Sequence, residues 1–315
     1  MFSLIPQLIG ITLISFLVIH LAPGSPADTK SDLNPKMSLE AREKLTKLYG
    51  LDRPVLIQYA DWLKRLGRLD FGNSFTDSEK VTKKIAHAIP VTLLINALSM
   101  IFILLIGVPL GIYGAVHQGT FVDRAATVLV MTAFAVPTFW LSLMLMSFFG
   151  VALQILPVSG LVSLDFENMS LLGKTGDVAK HLLLPLFVSS VTGLAGISRF
   201  MRSSMIETLK ADFIRTARAK GLPEKKVLYH HALKNAVLPI VTILGLSVPG
   251  LLGGSVVFES IFSIPGMGRL FFNSVFTRDY PVIMGILVLG AFLTLLGNLL
   301  ADLAYRLADP RIRLQ

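Results

Sequence analysis

The sequence predicts an all-α membrane protein of six spanning helices with a small helical insertion after the first. Three observations lead there. Hydrophobic residues make up 53% of the 315 and charged ones 16%, with a mean hydropathy of +0.68, a balance that excludes an ordinary soluble domain. Six stretches are uncharged through their apolar run and reach or approach the roughly 20 residues that a bilayer-crossing helix needs. The remaining charge is concentrated between them: of the net +9, +6 falls in residues 199–234, where nine Lys or Arg stand against Glu207, Asp212 and Glu224.

The first stretch, Phe2 to Ala22 within residues 1–27, carries no charge. A cleaved signal peptide would want a basic start and a small-residue cleavage site, and neither is clear. Residues 28–89 form the insertion, of which 28–84 carries 12 basic and 9 acidic residues. Ser38 suits the cap of a helix running to about Tyr49, with Glu40 in its first turn and Gly50 as its stop. Val55 to Leu66, with Tyr59, Trp62, Leu63 and Leu66, reads as a second amphipathic segment that either lies on the outer bilayer surface or caps a pore entrance. The other spans, at 90–116, 125–153, 182–198, 235–258 and 281–301, fall within a core of 90–315. An even number of spans puts both termini on one side. Long loops cross a membrane largely regardless of charge, and with 28–84 set aside the Lys and Arg count is 13 to 4 in favour of cytoplasmic termini. The insertion is then extracytoplasmic and the 199–234 loop cytoplasmic. Pro109, Pro137, Pro185, Pro239 and Pro249 fall inside spans, where they either serve packing or mark irregular backbone lining a passage.

Loop 199–234 has internal order. Upstream of Gly221, the residues Ile206, Leu209, Phe213 and Ala217 recur at steps of three and four, one helical face, with charge opposite. Gly221 suits a C′ position because it takes φ > 0, and Pro223 suits the first turn of another helix. The pattern reads helix, tight bend, helix. Ala217 and Gly221, four apart, present a small-residue patch where another backbone or side chain can come close. Topology alone accounts for the positive charge. It does not account for a small-residue patch followed by a capped break.

No reaction chemistry is legible. Without cysteine there is no disulfide, thiolate metal site or thiol nucleophile. Nucleic acid is excluded because two thirds of the net charge sits in one loop with no aromatic-studded basic surface. Gly173-Lys174-Thr175 imitates the end of a phosphate-binding loop, but Asn168 stands where that loop needs glycine, and the run is expected in an external loop. His230 and His231 are adjacent and point about 100° apart on a helix, while His20, His87, His117 and His181 lack metal-ligand spacing. No cofactor and no enzymatic activity are therefore expected in this chain. Asp302 and Arg306 suit an i, i+4 pair, Glu259 and Arg269 a bridge that shapes the last outer loop, and Trp140, just after Pro137, either a transport path or packing.

Arg215-Thr216-Ala217, followed after three residues by Gly221, resembles the EAA loop of the membrane subunits of ABC importers. The runs TARAKGL and HALKNAVLP are similar to the form found in the dipeptide, oligopeptide and nickel permease family, near its dipeptide B-type subunits. The general pattern has Glu-Ala-Ala where this chain has Arg215-Thr216-Ala217, and it reaches its proline before the position of Pro239. Further matches are APGSP at 22–26, LDRP at 51–54, DFG at 70–72, ESIFSIPGMG at 259–268, DYP at 279–281 and DPRIR at 309–313, so the likeness covers nearly the whole chain. The resemblance implies a type I ABC importer permease fold forming half of a translocation pathway in the inner or plasma membrane of a prokaryote. It implies a second homologous permease, two ATP-binding subunits that hold ATP and Mg2+, an extracytoplasmic substrate-binding protein, and no nucleic acid. Coupling to the ATPase would fall on Asp212, Phe213, Arg215, Thr216, Ala217, Arg218, Lys220, Gly221, Leu222 and Pro223. Pro137, Trp140, Pro249 and Gly253 are the residues expected on the pathway, and Glu259 and Arg269 those of the extracytoplasmic loop. The cargo implied is di- or oligopeptides, with nickel chelates, glutathione or another small solute as alternatives. An ion-coupled secondary transporter is the competing class, and the absence of charge deep in the expected spans counts against it.

Overall fold

The apolar runs become helices, yet proline and side-chain packing, more than hydropathy, set where those helices end. The computed structural model describes residues 4–27 and 38–308, with side chains other than those at 4, 39, 248, 249 and 300–308. In chain order the helices are α1 (Leu4–Leu21), α2 (Leu39–Leu48), α3 (Val55–Leu66), α4 (Val81–Val116), α5 (Phe121–Ala135), α6 (Thr138–Ala152), α7 (Leu171–Leu209), α8 (Asp212–Ala219), α9 (Glu224–Ala236), α10 (Leu238–Ser247), α11 (Val256–Ile261), α12 (Met267–Phe276) and α13 (Tyr280–Ala308). Among the described residues there is no β-strand. By length and composition α4, α7 and Tyr280–Leu299 of α13 can each cross a membrane, and the bent pairs α5–α6 and α9–α10 raise the number to five among the described residues. α1 is a shorter apolar helix.

Several bounds depart from the hydropathy reading. The second span starts at Val81 rather than at 90, because Val81, Ile85 and Ala88 form one buried face with Met267 and Val282. Lys83 and Lys84 lie off that face and pair with Glu79 and Asp77 at 2.8 and 2.6 Å. The third span, expected as one helix at 125–153, is broken. Pro137 disfavours the α conformation of its predecessor, Val136 is extended at ψ 125°, and α6 leaves α5 at 98°. α6 then ends in a π-helical turn, Met146–Ala152.

The fourth span outgrows the expected 182–198 in both directions. Ser170 Oγ caps α7 by accepting from Gly173 N at 3.2 Å, which puts Gly173-Lys174-Thr175 within the start of a helix and not in a loop. The lengthening also brings Lys174, Asp177 and Lys180 onto the helix. The fifth span, expected at 235–258, is divided into α9, α10 bent from it by 41°, a 3-10 turn at Val248–Leu252, and α11. Pro249 falls in the 3-10 turn and Gly254 follows it at φ +63°. The side chains of Asp302 and Arg306, and the run 309–313, lie outside the described residues.

The chain forms two compact units. The first comprises Met1–Thr92, Leu252–Ser260 and Pro265–Gln315. Within it α3 lies on α1 and α13: Tyr59 and Trp62 are buried with Phe16, Met284 and Val288, and Tyr59 Oη is 3.0 Å from Thr12 Oγ1. The aromatic face expected to meet lipid or a pore mouth is thus closed against helices. Asp279, also buried, accepts from Ser74 Oγ and, at 3.0 Å, from Phe75 N. These bonds join the neighbourhoods of two distant motifs, 70–72 and 279–281.

The second unit comprises Leu93–Leu251 with Ile261–Ile264. α4 meets α7 at Gly111, where a Cβ would lie 2.6 Å from both Ser198 O and Met201 Cβ, so this crossing needs glycine. In the first turn of α5, the carboxylate of Asp123 accepts from Arg202 of α7 in a fork, Nε at 3.0 Å and Nη2 at 2.9 Å, and from Gly119 N at 3.0 Å. That fork ties the start of α5 to the last third of α7.

Candidate functional site

α7 ends at Leu209, and the chain turns through Lys210 and Ala211 into α8. The turn resets the helical phase. Phe213, expected on the buried face with Leu209, is 46% exposed, while Ile214 and Ala217 point inward. Both join a buried cluster with Met201 and Met205 of α7, Val227, Ala232 and Ala236 of α9 and Ile240 of α10. The short helix is therefore clamped to α7, α9 and α10.

The bend after α8 has the geometry that its sequence specifies. Lys220 closes the helix, Gly221 takes φ +75°, Gly221 N donates to Arg218 O at 2.9 Å and Leu222 N to Ala217 O at 3.4 Å. These two bonds make a Schellman motif, and Leu222 packs against the same apolar cluster. Pro223 sits one residue earlier than a first-turn position, as the cap of α9, and its carbonyl accepts from Lys226 N at 2.8 Å. Arg218 reaches over the bend in a two-toothed pair with Glu224, at 3.2 and 2.7 Å. The Glu224 carboxylate raises the Arg218 pKa above its ordinary value, so the guanidinium stays charged. Both side chains are largely solvated, and such pairs contribute about 0–1 kcal/mol. Arg218→Ala should accordingly shift the chemical-denaturation stability of the purified subunit by no more than about 1 kcal/mol.

The ten expected coupling residues come together, but not all on one surface. Asp212, Phe213, Arg215, Thr216, Arg218, Lys220, Gly221 and Pro223 are exposed, Leu222 is half-buried and Ala217 is buried. Ala217, read from sequence as part of an outward patch, uses its small size inside the chain, where α8 packs close to α9. Gly221 is different: among the described residues nothing lies within 4 Å of a Cβ built on it. α9 itself contains a π-helical turn, Val227–Ala232, which carries His230 and His231.

Glu259 is 1% exposed and fully engaged. It accepts from Thr92 Oγ1 at 3.0 Å, Ser255 N at 3.2 Å, Gly268 N at 2.8 Å and Arg269 N at 3.1 Å. Arg269 thus meets Glu259 through its main chain, where a side-chain bridge was expected. Thr92 Oγ1 in turn accepts from Met267 N at 2.8 Å. The carboxylate stitches the Pro265-Gly266-Met267-Gly268 turn to α11 and to α4. Its neighbours leave no room: a Cβ on Gly266 would fall 2.5 Å from Glu259 Oε2.

The four residues expected on a pathway lie on two segments of the chain. Pro137 heads α6 at the 98° break, and Trp140, one turn on, is 48% exposed. Pro249 lies in the 3-10 turn with its side chain outside the described set, and Gly253 follows that turn, exposed. Sequence reasoning missed Thr92, Asp123 and Arg202, and it quoted Asp279 only as the first residue of the DYP motif without assigning it a role. Thr92 offered only the hint of a polar side chain within an apolar run.

Fold and site together define a class: a multi-helix membrane protein whose main basic loop is a clamped helical bend with an open glycine at its tip. Residues 107–314 match the family of binding-protein-dependent transport system inner membrane components, and the chain belongs to that family. It is a permease subunit and not a catalytic one. Its similarity to an oligopeptide transport system permease protein of Bacillus subtilis is 42% identity, covering 98% of this chain and 96% of the relative. A di/tripeptide transport system permease protein of Pseudomonas aeruginosa is 37% identical over 99% of this chain and 96% of its own length. A dipeptide transport system permease protein of Escherichia coli K12 is 38% identical over 98% of this chain and 96% of its own length.

Proposed function

We propose that this permease is one half of the translocation pathway of an ATP-driven importer of di- or oligopeptides. The observation that carries the reading is the clamped bend. A force applied to α8 reaches α7, α9 and α10 through Ile214 and Ala217 rather than dissipating in a loose loop. In this reading the protein has six spans, α1 being the sixth, and a type I importer fold. Residues 28–89 form an extracytoplasmic insertion whose last residues begin α4, residues 90–315 are the core, and the termini and the 199–234 loop are cytoplasmic. The partners are a second, homologous permease, two ATPase subunits that hold ATP and Mg2+, and an extracytoplasmic substrate-binding protein. Asp212 to Pro223 dock on the ATPase, the cations Arg215, Arg218 and Lys220 meeting an acidic rim. The peptide cargo is supported by the names of the three relatives.

The buried carboxylates argue against an ion-coupled carrier. Asp123, Asp177, Glu259 and Asp279 each accept hydrogen bonds from fixed protein donors, an arrangement suited to structure more than to cyclic proton or sodium uptake. Transport into proteoliposomes by the complete complex, with its binding protein and ATP, tests the reading. Uptake of labelled di- and oligopeptides is expected, and uptake of only a nickel chelate or glutathione would replace the peptide cargo.

A further inference from the structure

The uncharged stretch 182–198 of α7 ends at Arg199, and Arg202 follows one turn later. Both line a groove of about 470 Å³ between α4, α5 and α7. Its lining mixes apolar side chains, Leu110, Val130 and Met131, with the hydroxyl-bearing Tyr113, Ser198 and Ser203. Asp123, the carboxylate in this lining, is already held by Arg202 and Gly119 N, so it presents no bare negative charge. Arg199 is exposed and, among the described residues, has no ion-pair partner.

We propose that this groove binds the phosphate of an anionic glycerophospholipid. Arg199 supplies the charge, the hydroxyls of Tyr113 and Ser203 supply donors, and an acyl chain runs along Leu110, Val130 and Met131. A cation at the end of an uncharged helical run sits at headgroup depth, and basic clefts between spans suit lipid phosphates. Free phosphate would use the donors and leave the apolar side chains wet; a phospholipid uses both. The site is also placed to matter, because α7 runs from it directly into the turn that carries α8.

The test uses the complete transporter in nanodiscs of phosphatidylcholine with increasing phosphatidylglycerol, retained lipid being counted by native mass spectrometry. Wild type is expected to prefer phosphatidylglycerol roughly five-fold, the scale of one basic side chain at a membrane surface. Arg199→Gln should abolish that preference and Arg199→Lys should keep it. Met131→Trp, which fills the groove, should lower retention of both lipids. The proposal is overturned if Arg199→Gln leaves the preference intact, or if millimolar inorganic phosphate displaces the lipid. It is equally overturned if a cross-linker on Met131→Cys captures the partner permease in place of lipid.

Discussion

A Gly221→Arg permease is expected to insert and assemble with its partners, yet to lose substrate-stimulated ATP hydrolysis and transport by about ten-fold or more. Two effects act together. At φ +75° a residue with a Cβ carries left-handed strain of roughly 1–2 kcal/mol. The larger effect is steric. Among the described residues nothing lies within 4 Å of a Cβ built on Gly221, so a side chain there starts in open space and is expected to clash with whatever docks on the bend. A series separates the two. Asn tolerates the left-handed region and should couple nearly as well as Gly, whereas Ala should show the strain as a small loss of stability with coupling retained. Normal stimulated hydrolysis by the Arg variant, measured on purified complex, would remove Gly221 from the docking surface.

Loss of the Glu259 carboxylate is expected to act on folding instead. Glu259→Ala orphans three main-chain N–H groups and the Thr92 hydroxyl in a site closed to water, at about 1–3 kcal/mol for each group left unsatisfied. The yield of assembled complex and its melting temperature should fall sharply, with turnover per surviving complex little changed. Glu259→Gln, which keeps one acceptor oxygen, should fall between. Wild-type assembly combined with failure to engage the binding protein would instead assign Glu259 to a docking surface.

The contrast between these two sites shows what a sequence reveals. The bend at Gly221 was legible because its causes are local: a glycine at C′, a proline two residues on, and bonds spanning three to five residues. The Glu259 bonds to Thr92 and Gly268 were not, because residues 92 and 259 are distant in the chain and neither has a distinctive spacing. The phase of α8 was misread for a related reason. Lys210 and Ala211 interrupt the helix without glycine, proline or a capping side chain, so the sequence pattern carries Phe213 onto the face of Leu209, whereas Ile214 takes the buried place. Pro137 announced an irregularity but not its size, since packing decides whether proline kinks a helix or turns it through 98°. In α3 the aromatic stripe was legible as a stripe. Its partner was not, because lipid and helices α1 and α13 would select the same pattern.

If an ATP-hydrolysing partner grips this bend on the cytoplasmic side, a probe placed on the bend should reach that partner. The chain has no cysteine, so Lys220→Cys places a single thiol on the bend, ready for a photoactivatable cross-linker in sealed, right-side-out vesicles. An adduct with the ATPase subunit is expected, with no labelling by impermeant reagents added outside. An adduct with the external binding protein, or ready labelling from outside, would place the bend on the wrong side of the membrane for that grip.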